Sequence, residues 1–351
     1  MLRLLEKLSV DIIDDRYRAI DELSAGMGAS SFKGVDETTG ATVFMKYLLF
    51  PSNNYELAKF KTEILLSERL TALPLVSDSS AAFLYSKSFY DDNVLCLITE
   101  WVDAPSLNIW LDEHVGISLD ERLELVHRIC SAVGGLCNWV FHRDLHPGNI
   151  LIEDVDLDWH STIPACGVKV VDLGEAVPLF DASFEESEQF VFDVCAGAKR
   201  KIEGSFYGLP PEVFRPWEVI ERNHIKYDVW SISLLIYKIL TGKDLILHPD
   251  LGSYKVSIDN GSLNNTISNA CNELRGLDIK GSLLLSELFS SMCKVDVNER
   301  TNLLFASRVL WDIRIEGFCP TDMNVIRDYL RDPGEYIPEG GWQYSYINDP
   351  N

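Results

Sequence analysis

Fifty-four acidic residues against 31 basic ones in a 351-residue chain give a formal charge of −23, which argues against a nucleic-acid binder because a phosphate backbone would be repelled. Hydrophobic residues make up 46% of the chain, ample for a large core, and the length suggests about two domains by the rule of roughly 150 residues each. Eight cysteines without a C-x-x-C pair and seven histidines without metal-ligand spacing give no zinc site and read as the reduced side chains of a cytoplasmic protein. No apolar run nears the roughly 18 residues of a membrane span. Met1-Leu2-Arg3-Leu4-Leu5 is broken by Glu6 and Lys7, unlike a signal peptide.

In chain order, Ser24-Ala25-Gly26-Met27-Gly28-Ala29-Ser30-Ser31 is a small-residue turn between apolar-alternating runs. A backbone without bulky side chains can approach phosphates and aim N–H groups at them. Asp36-Glu37-Thr38-Thr39-Gly40 reads as a hairpin turn and Val43-Phe44-Met45-Lys46 as a strand. From Tyr55 to Leu70, the apolar residues Leu57, Phe60, Ile64 and Leu65 fall near helical spacing, with Glu63 among them. Val94 to Val102 reads as a buried strand running into a connector. The stretch Leu119 to Val140 carries Leu123, Val126, Ile129, Cys130, Val133 and Leu136 on one helical stripe behind acidic Asp120 and Glu121, the pattern of a core-packing helix.

That stripe leads into His142-Arg143-Asp144-Leu145-His146-Pro147-Gly148-Asn149, where a carboxylate and a carboxamide stand five positions apart. An Asp that can accept a hydroxyl proton, beside an Asn that can hold a metal, is the minimum equipment for phosphoryl transfer. Lys169-Val170-Val171-Asp172-Leu173-Gly174 adds a second acidic group before a glycine that permits a sharp turn. The two segments closely resemble the catalytic loop, H-R-D-x-x-x-x-N, and the Mg-binding loop, D-F-G, of the protein kinase superfamily. Further features follow in the family's order. Gly204 to Glu212 ends in Pro-Pro-Glu and resembles the A-P-E motif, Tyr227-Asp228-Val229-Trp230-Ser231 resembles the start of the central large-lobe helix, and Arg300 resembles the arginine that pairs with the A-P-E glutamate, here Glu212. The resemblance covers residues 17 to about 312.

The resemblance implies an α+β, bilobal protein-kinase-like fold with a small β-rich N-lobe, about 17–100, and a large mainly helical C-lobe, about 105–315. Residues 1–16 are then an N-terminal extension, and 316–351 a tail docked on the C-lobe through Trp342, Tyr344 and Tyr346. It further implies ATP and Mg²⁺ as cofactors. Asp144 would be the base, Asn149 and Asp172 the metal ligands, and Lys46, held by Glu63, the phosphate anchor. Gly26, Gly28 and Ser31 would line the phosphate loop, although the third glycine of G-x-G-x-x-G is replaced by Ser31, or by Ala29 if counted back from Lys46. Thr99 takes the gatekeeper position, the backbone of Glu100 to Val102 faces the adenine, and Leu151 joins the nucleotide contacts. Asp228 would brace the catalytic loop.

The expected activity is transfer of the γ-phosphate to Ser or Thr of a protein substrate. Arg143, Pro211-Glu212 and Asp228-Val229-Trp230-Ser231 favour a protein over a small molecule, yet His146-Pro147-Gly148-Asn149 also resembles small-molecule phosphotransferases. His146 stands where Ser/Thr kinases carry lysine, which leaves the acceptor class open. A pseudokinase scaffold is the third alternative, because Phe44 replaces the small alanine of V-A-I-K. The acidic charge reads first as solubility and second as attraction for a basic substrate. Arg143 is expected to meet either a phosphate on Ser183, Ser187, Ser205 or Tyr207, or the carboxylates of Glu185, Glu186 or Glu188.

Overall fold

The structure is a computed structural model that describes residues 12–25, 29–49, 54–73, 84–91, 94–137, 139–153, 167–178, 208–216, 219 and 226–331. Strands β1 (Ile12–Ile13), β2 (Tyr17–Ala25), β3 (Ala29–Asp36), β4 (Thr42–Leu49), β5 (Leu84–Asp91) and β6 (Val94–Glu100) form one antiparallel sheet in the order β1-β2-β3-β4-β6-β5. The sheet therefore begins before residue 17, within the expected extension.

Two-residue alternation decides what each face of the sheet does. Val43, Met45 and Tyr47 turn to one side of β4 and pack with Ile13, Tyr17, Phe32, Cys96 and Ile98. Leu48 of the other face joins Leu95 and Leu97 of β6 in packing on Phe60 and Ile64 of helix α1 (Asn54–Thr71). Phe44 and Lys46 share that second face, so the same alternation that seals the sheet aims them at the cleft.

Beyond Glu100 the chain becomes helical: α2 (Leu107–Glu113), α3 (Leu119–Leu136), α4 (Tyr227–Thr241), α5 (Leu251–Asp259), α6 (Ser262–Arg275), α7 (Ser282–Met292), α8 (Leu303–Arg314) and α9 (Met323–Arg331). Helix α3 starts in a capping box, with the Glu121 N–H donating to Ser118 Oγ and the Ser118 N–H to the Glu121 carboxylate. It stops at Leu136 rather than running to Val140. Val140 and Phe141 instead form strand β7 (Val140–Phe141), paired with β10 (Val177–Pro178). Their backbone groups find partners there, so the apolar side chains stay buried outside the helix.

Helix α4 is buried almost all round, the mark of a core helix. Between α3 and α8 lies a buried ionic cluster in which Glu124 of α3 binds Arg128 of the same helix at 2.6 Å and Arg314 of α8, with His127 alongside. Past residue 315, Ile326 and Tyr329 of α9 are buried in the large core, and the Tyr329 hydroxyl donates to Asp312. Trp342, Tyr344 and Tyr346, on which docking of the tail was expected, lie outside the described residues. The molecule is thus an α+β protein of two lobes, among the described residues a curled sheet with one helix and a helical lobe.

Candidate active site

A cleft of about 650 Å³ opens between the sheet and the helical lobe, within the size range of small-molecule sites. Ser31, Phe44, Lys46, Thr99 and Glu100 line it from the sheet, Val102 from the connector, and Asp144, Leu151 and Asp172 from the helical side. Phe60, Leu70 and Leu97 also line it. Gly26 and Gly28 lie outside the described residues.

Lys46 is the electrostatic centre. Its Nζ donates to both carboxylate oxygens of Glu63, at 2.7 and 2.9 Å, and to Asp172 Oδ1 at 2.9 Å. Burial disfavours the ammonium, but the Glu63 and Asp172 carboxylates outweigh it and hold Lys46 above the usual lysine range. Burial likewise pushes against the Asp172 carboxylate, yet Lys46 and the Gly174 N–H bring it down to about 2. Gly174 makes this meeting possible. A Cβ there would stand 3.0 Å from Asp172 Oδ1 and 3.4 Å from Lys46 Nζ, in the middle of the ion cluster.

Short strands β8 (Ile150–Ile152) and β9 (Val168–Val170) form a hairpin that places the two polar loops side by side. His142 donates its Nε2–H to the Val171 carbonyl at 3.0 Å, and the Val171 N–H returns to the Asn149 carbonyl at 3.0 Å. Asn149 donates its amide to the Asp144 carbonyl at 3.0 Å, which leaves its side-chain oxygen as the acceptor a cation would use. The His146 ring accepts the Gly148 N–H on Nδ1 at 3.0 Å, which turns its Nε2 towards the Asp144 carboxylate, 3.9 Å away.

Two site residues, Arg143 (φ 67°) and Asp172 (φ 63°), hold left-handed backbone that non-glycine residues rarely adopt. Asp228, at the start of α4, accepts the backbone N–H of His142 and Arg143 and so fixes the first of them. Arg143 is buried, with its side chain hydrogen-bonded to the Tyr227 hydroxyl. The candidate acceptors for it on the segment after Gly174, Ser183, Ser187, Ser205, Tyr207 and Glu185, Glu186 and Glu188, lie outside the described residues.

That segment ends on a rigid anchor. Arg300 grips Glu212 with two bonds of 2.7 and 2.8 Å, both partners buried, and also donates to the carbonyls of Lys226 and Lys294. Gly208 packs so closely that a Cβ would stand 2.7 Å from the Leu145 carbonyl, and its own carbonyl accepts from Ser231 Oγ at 2.8 Å.

Sequence reasoning missed three contacts around the cleft. Lys59 of α1 pairs with Glu175, Lys169 of β9 reaches Glu100 at 3.2 Å, and the Lys33 ammonium sits 4.6 Å from the centre of the Trp101 ring. Only the first left a trace, since Lys59 lies four residues before Glu63 and shares its helix face.

The residues fit a nucleotide with a divalent cation. Asp172 Oδ1 is engaged by Lys46 and Gly174, while the side chain remains 48% exposed and lines the cleft together with the Lys46 ammonium. A family model described as "Protein kinase domain" matches residues 17–311. The chain is 25% identical over 236 residues to a probable serine/threonine-protein kinase PknB of Lactococcus lactis, covering 66% of this chain and 32% of that protein. It is 27% identical over 164 residues to the mouse serine/threonine-protein kinase tousled-like 2, covering 46% and 21%, and 24% identical over 235 residues to a probable serine/threonine-protein kinase of Clostridium acetobutylicum, covering 66% and 31%. The match thus spans between a fifth and a third of these relatives' lengths.

Proposed function

The chain belongs to the protein kinase domain family of phosphotransferases, and from that premise we propose that it transfers the γ-phosphate of ATP to Ser or Thr hydroxyls of a protein substrate. The observation that carries this reading is Lys46 held between Glu63 and Asp172 inside a cleft that Asp144 also lines.

Each residue has a role in positioning and charge neutralisation, which is most of what phosphoryl transfer asks of a protein. Lys46, oriented by Glu63, anchors the phosphates. Asn149 and Asp172 hold Mg²⁺, which neutralises charge on the phosphate oxygens when bound. Asp144 orients the acceptor hydroxyl and takes its proton. Ser31 and the glycines Gly26 and Gly28 supply backbone N–H groups to the phosphates. Thr99, Glu100, Val102 and Leu151 surround the base. The names of the relatives support a Ser/Thr acceptor, and the acidic balance of the chain favours a basic substrate segment. The buried free thiols of Cys96, Cys130, Cys137, Cys271 and Cys293 support a reducing compartment such as the cytoplasm.

A second reading, a partner-binding pseudokinase, draws on one observation: Phe44 lines the cleft, where its ring takes room from the base. A thermal-shift titration separates the two. ATP with Mg²⁺ should raise the melting midpoint of the natural protein, and labelled ATP should then leave phosphate on Ser or Thr of a basic protein mixture. A midpoint that ATP moves only in the Phe44→Ala variant, with no transfer from the natural chain, would support the scaffold instead.

A further inference from the structure

Helix α1 carries a second charged anchor besides Glu63. Lys59 stands about one turn before it on the same face, and its ammonium pairs with the carboxylate of Glu175, the residue that follows Gly174. Both side chains are partly buried, at 32% and 21% exposed, and both line the cleft. The two anchors run in opposite sense. α1 offers a carboxylate to Lys46 of β4 and an ammonium to the loop that carries Asp172. Lys46 in turn reaches Asp172 at 2.9 Å, so three elements are closed into a ring by ion pairs. Residues four apart on a helix move together. A rotation of α1 that drew Glu63 from Lys46 would therefore also part Lys59 from Glu175.

We propose that Lys59 and Glu175 are positioning residues for phosphoryl transfer, a latch that keeps α1 against the Asp172 loop, and Glu63 on Lys46, through the chain's own charges and without a phosphate on the segment between Gly174 and Glu212. The inference rests on the kinase reading above. The latch does not touch the reacting atoms; it fixes the helix that carries Glu63. A partly buried pair of this kind is worth a few-fold in the balance between docked and undocked α1.

The test uses the full chain treated with phosphatase, with hydrogen exchange of residues 54–71 and transfer from ATP measured in parallel. Lys59→Ala and Glu175→Ala should each speed exchange in α1 by about fivefold and lower kcat by about as much, with the KM for the protein acceptor little changed. The exchanged pair, Lys59→Glu with Glu175→Lys, should recover most of both losses. Protection of α4 is the internal control for folding. Unchanged exchange and rate in the single variants, a swapped pair as impaired as the singles, or loss of α4 protection along with α1 would overturn the latch. Faster α1 exchange in the singles, restored by the swap, in a protein that transfers no phosphate would keep the latch and remove the kinase reading. Transfer that is indifferent to both residues would do the reverse.

Discussion

Asp228 accepts the backbone N–H of His142 at 2.7 Å and that of Arg143 at 3.0 Å, from a position with no solvent exposure. One carboxylate of the helical core thus determines the path of the loop that carries Asp144 and Asn149. It also holds Arg143 in a left-handed conformation whose cost is on the order of 1–3 kcal/mol.

Replacing Asp228 by alanine removes both acceptors and leaves two buried N–H groups unpaired, at about 1–3 kcal/mol each. Asp228→Ala is expected to lower the unfolding free energy by about 3 kcal/mol or more and to reduce transfer at least tenfold. Chemical denaturation checks the first and steady-state kinetics the second. Stability and rate both equal to the natural protein's would show that the loop holds its shape without this carboxylate.

The Glu212–Arg300 pair predicts an asymmetry. Glu212→Ala strands a buried guanidinium and should cost about 3–5 kcal/mol. Removing both charges with Glu212→Gln and Arg300→Met should cost less than the single change, since no unpaired charge remains. Urea titrations of the three proteins settle the order, and a double variant weaker than Glu212→Ala would contradict it.

Much of this site was legible in the sequence because its parts sit at short, fixed spacing. Asp144 to Asn149 and Asp172 to Gly174 are single loops, and Val43 to Lys46 already reads as a strand, whose alternation the structure resolves into a core face and a cleft face. Elements marked by periodicity were also plain: the stripe from Leu123 to Leu136 is buried as expected. What could not be read were meetings across the fold that no local pattern encodes. Lys59 with Glu175 and Lys169 with Glu100 join residues 116 and 69 positions apart, and surface Lys and Glu look alike in sequence whether paired or solvated. The end of α3 was misplaced because Val140 and Phe141 are apolar enough to continue a helix; only the partner strand at Val177 shows why they do not.

His127 gives a pH dependence of definite sign. Burial, with Arg128 nearby, lowers its pKa from 6.5 to about 4, and the adjacent Glu124 carboxylate is taken up by Arg128 and Arg314. Between those two values the unfolded chain binds a proton that the folded one refuses. The contribution is therefore complete above pH 6.5 and is lost as the pH falls towards 4, up to about 3 kcal/mol. His127→Gln should flatten the stability profile over that window. An unchanged slope in the variant would show that other groups produce it.

Lys46→Met should weaken ATP binding if the ammonium is the phosphate anchor we propose, and should leave Glu63 and Asp172 without their shared cation. Loss of the Lys46 charge is expected to lower transfer by about 100-fold or more. Fluorescent-nucleotide titration with parallel kinetics checks both effects; an intact rate would assign the anchor elsewhere.

The most direct measurement is transfer of labelled γ-phosphate from ATP with Mg²⁺ by the natural chain and by Asp172→Ala, each verified as folded by circular dichroism. Phosphate should appear on the protein acceptor with the natural chain, vanish when the metal is chelated, and fall about 100-fold or more in the variant at unchanged fold. Transfer by Asp172→Ala at the natural rate would contradict the assignment of this cleft as the site of phosphoryl transfer.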